Sequence, residues 1–197
     1  MVSPVGDGAD LQGLIRANEF PSIAIGKSAK DSGFIYLAWD DGGNAVPDSF
    51  STTGSYAFSD IKMSASRDYG DTWKTPIRVN TNAKGGGALL TDQFEPAIAA
   101  DTKGALAVCL YDRRRDANNF QIDRECAKSF DGGTTWSNRK MTAITFPTEV
   151  GQDLLVAQDY MGDFDTAATD ATGRQSGFID SHASNSLGDP TVMIDQP

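Results

Sequence analysis

Several carboxylates and arginines stand beside short strand-like runs, where they can meet on one side of a sheet. Glu95 precedes Pro96 at the start of one run, and Asp159 and Tyr160 take the equivalent place further on. Asp40 and Asp41 follow the run that ends at Trp39, and Asp112 follows Tyr111 at the matching position. Two carboxyl groups about 5–10 Å apart, one protonated and one ionised, are what glycosidic hydrolysis requires. Arg113, Arg114 and Arg124 carry planar forks that match a carboxylate. Adjacent arginines alternate in direction along a strand, so Arg113, Arg114 and Arg115 face different ways and one or two at most reach a common site. They can instead pair with Asp112, Asp116, Asp123 and Glu125 around the loop, and each carboxylate can instead cap a turn. Asp163, Asp165 and Asp170 form an acidic cluster with oxygen ligands suited to calcium, though without EF-hand spacing. No other cofactor is expected.

The elements that position these groups repeat. Phe20–Ile25, Phe34–Asp40 and Ile61–Ser66 are followed by Trp73; Glu95–Ala100, Ala105–Asp112 and Cys126–Ser129 are followed by Trp136. The tryptophans lie about 63 residues apart and the opening prolines, Pro21 and Pro96, about 75. A weaker third copy opens at Asp159–Phe164, reaches Thr166–Asp170, and has an apolar run at Gly177–Asp180. Strand signals at short spacing, with no helical period, predict an all-β chain. Segments 41–59 and 80–93, rich in Gly, Ser, Thr and Asn, read as loops.

Composition narrows the partners. The 197 residues carry a formal net charge of −10, which argues against nucleic acid, because phosphate binding needs a basic surface. No apolar run is long enough for a membrane-spanning helix. One histidine, His182, and two cysteines, Cys109 and Cys126, make no zinc pattern. The cysteines lie on runs that read as neighbouring strands, so they can pair; a free buried pair is the alternative. Residues from Met1 onward are polar and Gly-rich with no signal-peptide core, so either an export signal has been removed or the protein is cytoplasmic; a secreted or extracytoplasmic location is expected.

Two stretches fit Ser-x-Asp-x-Gly-x-Thr-Trp: Ser66, Asp68, Gly70, Trp73 and Ser129, Asp131, Gly133, Trp136 mark them. The pattern suits a hairpin turn. The aspartate accepts backbone N–H groups, the glycine supplies an angle closed to other residues, hydroxyls tie the ends, and tryptophan anchors the turn in the core. It resembles the Asp box, or bacterial neuraminidase repeat. Tyr111–Asp116, Ile122–Cys126 and Asp159–Gly162 are also similar to bacterial exo-sialidase-like proteins, so the resemblance spans roughly residues 18–190.

The resemblance implies a sialidase-type β-propeller of about six or seven blades, with the Asp boxes structural and away from the active centre. About three blades fall in this chain, near 18–80, 92–147 and 154–197, after an N-terminal extension at 1–17. Two copies would supply six, so a dimer or trimer is expected to complete the ring. The resemblance also implies a glycoside hydrolase with an axial site: three arginines on the substrate carboxylate, a tyrosine–glutamate nucleophile, and an aspartate acid/base. The Arg-Ile-Pro start of sialidases is absent, and the adjacent arginines do not match a triad drawn from separate blades. A non-catalytic module that binds carbohydrate or protein through the same surface is the alternative, and a scaffold segment of a larger secreted protein is a third.

Overall fold

The computed structural model describes residues 10–11, 15–16, 21–46, 56–82, 91–147, 165–170, 175–181 and 191–195. Every regular element among them is a β-strand and every pairing is antiparallel. β1 (Asp10–Leu11) and β2 (Ile15–Arg16) make a short hairpin. β3 (Ser22–Ile25), β4 (Ile35–Val46), β5 (Tyr56–Ser66) and β6 (Ile77–Arg78) form a four-stranded meander. β7 (Gln93–Ala100), β8 (Leu106–Asp112), β9 (Gln121–Ser129) and β10 (Ser137–Lys140) form a second, and β11 (Phe146–Pro147) also pairs with β9. A third sheet holds β12 (Thr166–Thr169), β13 (Gln175–Ser181) and β14 (Thr191–Asp195).

Segment 41–59 departs from the loop expected there. The β4–β5 ladder continues beyond Asp41↔Asp60, passes an irregularity, and resumes from Asn44↔Phe58 to Val46↔Tyr56. Once Ile35–Asp41 is paired, each added register position costs little, and Val46, Tyr56 and Phe58 favour strand. Gln93, placed in a loop from the sequence, opens β7.

Alternation along the strands puts one face of each meander into a shared core. Tyr36, Ile61 and Met63 of the first sheet meet Ile98, Val108 and Leu110 of the second, all almost fully buried. Alanines 38, 65, 100 and 127 let the backbones approach. The opposite face of the second sheet carries a smaller cluster of Phe94, Tyr111, Ile122 and Phe146, and Leu11 from the expected N-terminal extension is buried within it. Cys109 and Cys126 face each other across β8 and β9 and are disulfide-bonded. On the first sheet the residues that alternate with Ala24 point away from the core, leaving Ile23 62% and Ile25 58% exposed.

Strand β7 ends the second sheet, so one of its edges lacks a ladder partner among the described residues. Side chains from the neighbouring sheets close that edge. Ser59 Oγ donates to the Gln93 carbonyl at 2.6 Å, and the Ile98 N–H donates to Ser22 Oγ at 3.0 Å. Thr169 Oγ1 of β12 donates to the Ala100 carbonyl at 2.7 Å.

Replacing Leu110, at the centre of the inter-sheet core, by alanine is expected to cost about 2–5 kcal/mol in urea denaturation. Ile25→Thr, on the outward face, is expected to change stability by less than about 0.5 kcal/mol. Equal losses at both positions would show that the outward face is covered in solution.

Candidate functional site

The strand register gathers the acidic and basic residues at one end of the sheets. Asp41 opposes Asp60, Gln93 opposes Asp112, Asp112 opposes Asp123, and Leu110 opposes Glu125. The two Asp-box turns follow Ser66 and Ser129, at the other ends of β5 and β9. At roughly 3.3 Å per residue, Asp60 and Ser66 lie about 20 Å apart along their strand.

Glu95 is the least ordinary residue of this end. The β7–β8 ladder breaks between Phe94 and Ala97, and Glu95 adopts φ 50°. Left-handed backbone costs a non-glycine residue about 1–2 kcal/mol, and a following proline narrows its choices further. The neighbouring sheet holds it there: the Glu95 N–H donates to Asp40 Oδ2 at 3.2 Å, and Asp40 is fully buried. Glu95 itself stays half-buried. The structure therefore joins two of the candidates, Asp40 and Glu95, through a backbone contact between sheets. Asp159 and Tyr160 lie outside the described residues.

The arginines diverge, but not by strand alternation as expected. Arg113–Arg115 stand in the turn beyond the end of β8. Arg113 turns inward to Asp92 at 3.1 Å, with both side chains fully buried. Asp92 also accepts from Asn119 Nδ2 at 2.7 Å and from the Ser59 N–H at 3.3 Å, so this pair spans both sheets. Arg114 places Nε and Nη2 on Asp112 Oδ2 at 2.8 and 2.6 Å. Arg115 reaches Asp123 at 3.4 Å and also pairs with Glu125. Arg124 is buried against Asp165, a member of the acidic cluster, whose Asp163 is not among the described residues.

The two buried arginines also sandwich aromatic rings. Arg113 lies 5.3 Å from the Phe94 centroid, Phe94 stacks on Tyr111 at 5.4 Å, and Arg124 lies 4.9 Å from the Tyr111 centroid. Arg113 and Arg124 are thus built into the interior, and Arg114 lies nearer the surface.

Other polar groups continue the network. Asp41 pairs with Lys62. Asp60 accepts from Arg78 at 3.3 Å and from Asn80 Nδ2 at 2.8 Å; Asn80 in turn donates to Gln93 Oε1 at 2.9 Å. Burial alone would raise the Asp123 carboxyl, but donors on Lys140, Thr145 and Thr142 outweigh it and hold the group below the usual range. Asp92, Asn80, Gln93 and Asn119 were not singled out from the sequence. Their one signal there is a polar residue just before or after a strand.

The serine, aspartate, glycine and threonine bonds of the two Asp-box turns repeat. Ser66 Oγ donates to Asp68 Oδ1 at 2.8 Å and Ser129 Oγ to Asp131 Oδ1 at 2.8 Å. The serine oxygens accept from Gly70 N at 2.8 Å and Gly133 N at 2.9 Å. The aspartates take the N–H of Thr72 at 2.8 Å and of Thr135 at 2.9 Å, plus both threonine hydroxyls. Both glycines have left-handed φ, 101° and 87°. Gly133 also lies close to the first sheet, where a Cβ would require the end of the Met63 side chain to shift. Trp136 packs half-buried against the inter-sheet core, whereas Trp73 is 44% exposed and donates Nε1 to the Gly70 carbonyl at 3.1 Å. The expected anchoring in the core therefore holds for Trp136 and not for Trp73. The first sheet's outward side has no sheet packed on it among the described residues.

No protein-family model and no curated protein matches the sequence. Solved structures do match. Hz136, a Hadza microbial sialidase, aligns with 98% of this chain and 34% of its own, at 14% identity and a TM-score of 0.54. A protein of unknown function from Dyadobacter fermentans aligns with 90% of this chain and 50% of its own, at 15% identity and a TM-score of 0.51. The GH93 α-L-arabinofuranosidase of Fusarium graminearum covers 92% and 51%, at 15% identity and a TM-score of 0.44. The chain spans between a third and about half the length of these structures. The likeness to Hz136 shows the fold alone: an all-β arrangement of antiparallel sheets, shared with a β-propeller glycosidase.

Two measurements test this account. Glu95→Gly should relieve the left-handed strain and raise the unfolding free energy by about 1 kcal/mol; a loss of that size would mean that the side chain supports the fold. The Thr135 hydroxyl and N–H, with Ser129, hold the Asp131 carboxyl down to about 2. Its stabilising effect is therefore complete above the ordinary carboxylate range and is lost as pH falls toward 2. Asp131→Asn should flatten the decline of the urea midpoint between about pH 4 and 2, and an unchanged slope would reject the assignment.

Proposed function

We propose that this chain belongs to a sialidase-like β-propeller that hydrolyses glycans at the end of the sheets marked by Glu95. The observation that carries the reading is Glu95: a half-buried carboxylate kept in left-handed backbone by a buried aspartate of the next sheet. Strain maintained in this way is characteristic of active sites. The fold likeness to a sialidase supports the same reading.

In this proposal Glu95 is one of the two groups that flank the scissile bond. Asp40 acts from beneath as its positioning residue. Asp159 or Tyr160, at the equivalent place in the third repeat, supplies the second group. One carboxyl gives its proton to the leaving oxygen as the glycosidic bond breaks; the other group either attacks the anomeric carbon or activates water to do so, and water finally takes up the glycosyl group and returns the proton. Arg114, oriented by Asp112, and Asp41 form the polar rim that meets the substrate. Arg113 and Arg124 act indirectly, by fixing the loop and the segment before β12. Cys109–Cys126 favours an oxidising, extracytoplasmic location. About three blades lie in this chain, and identical copies complete the ring.

A non-catalytic carbohydrate- or protein-binding module is the second reading. It is favoured by the pairing of Asp112, Asp123 and Glu125 with arginines and a lysine, which leaves fewer groups for proton transfer.

The test is a panel of aryl glycosides that includes a sialoside. At least one should be cleaved, and Glu95→Gln should lower kcat by roughly 10²–10⁴ with the fold retained. Glycan binding without turnover selects the second reading; cleavage untouched by Glu95→Gln sinks the assignment of Glu95. Light scattering is expected to give a dimer or trimer, and a monomer would remove the ring closed by identical copies.

A further inference from the structure

A concavity lies at the end of the sheets opposite Glu95, beside the Asp-box turns. It has a volume of about 240 Å³ and sits where the first two sheets meet. Its walls include Phe34, Arg67, Lys30, Lys103 and Phe130, with Tyr36 among the deeper residues.

The rim is built from turns that are pinned internally. Asp31 Oδ1 accepts from the Ser28 N–H at 2.8 Å and from its hydroxyl at 2.5 Å, and the Tyr36 hydroxyl donates to Asp31 Oδ2 at 3.2 Å. Asp101 takes the N–H groups of Lys103 and Ala105, each at 2.8 Å. The first and second of these turns touch, since a Cβ on Gly104 would lie 3.0 Å from Ser28 Oγ. A rim fixed in this way loses little entropy when a ligand docks.

The charge pattern reverses that of the Glu95 end. There every arginine from 113 to 115, and Arg124, is committed to a carboxylate. Around this groove Lys30, Arg67 and Lys103 have no ion pair among the described residues, while Asp31 and Asp131 are engaged within their own turns. Arg67 is held 5.4 Å from the Phe34 centroid, so one cation is already oriented. Phe130, 80% exposed, offers a ring at the mouth.

We infer that this groove binds an anionic monosaccharide unit, a sugar ring that bears a carboxylate or a sulfate. The acidic group meets Lys30, Lys103 and Arg67, and the apolar face of the ring lies on Phe130. The volume falls below the roughly 300–1,000 Å³ of pockets for drug-sized ligands, as a single ring requires. This site is independent of the proposal for Glu95.

The full chain should be titrated with galacturonic acid, galactose 6-sulfate, galactose and benzoate, by calorimetry or ligand-observed NMR. The two acidic sugars should bind at least about tenfold more tightly than galactose, and the binding should weaken with salt. Whichever acidic sugar binds better shows whether carboxylate or sulfate is preferred. Lys30→Ala/Lys103→Ala should remove about tenfold of that affinity, and Phe130→Ala should weaken both acidic sugars, while Glu95→Gln leaves them unchanged. No preference for acidic sugars overturns the proposal in the unmodified chain, whatever the variants do. Benzoate binding as tightly as galacturonic acid overturns the sugar assignment, and loss of binding in Glu95→Gln alone moves the ligand to the other end.

Discussion

A strand at the edge of a sheet has N–H and C=O groups with no ladder partner, and burying them unsatisfied costs more than most packing returns. In this chain the constraint falls on β7, which sits between two other sheets. The solution is a row of side chains: Ser59, Asp40 and Ser22 from the first sheet and Thr169 from the third reach its backbone. These contacts set how the sheets align along one another. The apolar core fills the space between sheets aligned in this way, and one of these contacts also holds the left-handed Glu95.

Parts of the fold that rest on local bonds were legible in the residues. The Asp-box turns join positions two to four apart, so Ser66–Trp73 and Ser129–Trp136 carry their own instructions. The strand-like runs at 61–66 and 95–100 were readable from their own residues. The pairing of Arg113 with Asp92 or of Arg124 with Asp165 was not, because each partner arrives from a distant segment. Nor was the backbone of Glu95, whose conformation depends on a carboxylate 55 residues earlier. The long β4–β5 hairpin was hidden by its polar composition: a ladder already nucleated can run on through residues that would not start one.

The two ends of the sheets use the same residue types differently. At one end guanidinium groups are consumed in stacking and pairing, and Glu95 is half-buried among them. At the other, the carboxylates are consumed by turn backbones and the cations remain available. The Asp-box turns thus have an electrostatic consequence beyond their shape, since an aspartate saturated by hydroxyls and N–H groups competes weakly for a neighbouring lysine.

The tryptophans of the two turns occupy the same place in the motif yet differ in surroundings, and Trp39 is 4% exposed. Covering by an adjacent sheet is what separates Trp136 from Trp73. Indole emission shifts to the blue and resists quenching by acrylamide as water is excluded, so Trp73 acts as an intrinsic optical gauge of its face. A surface that settles on the first sheet, whether from a longer chain or from another copy, darkens the accessible fraction of that signal while Trp39 and Trp136 serve as internal references.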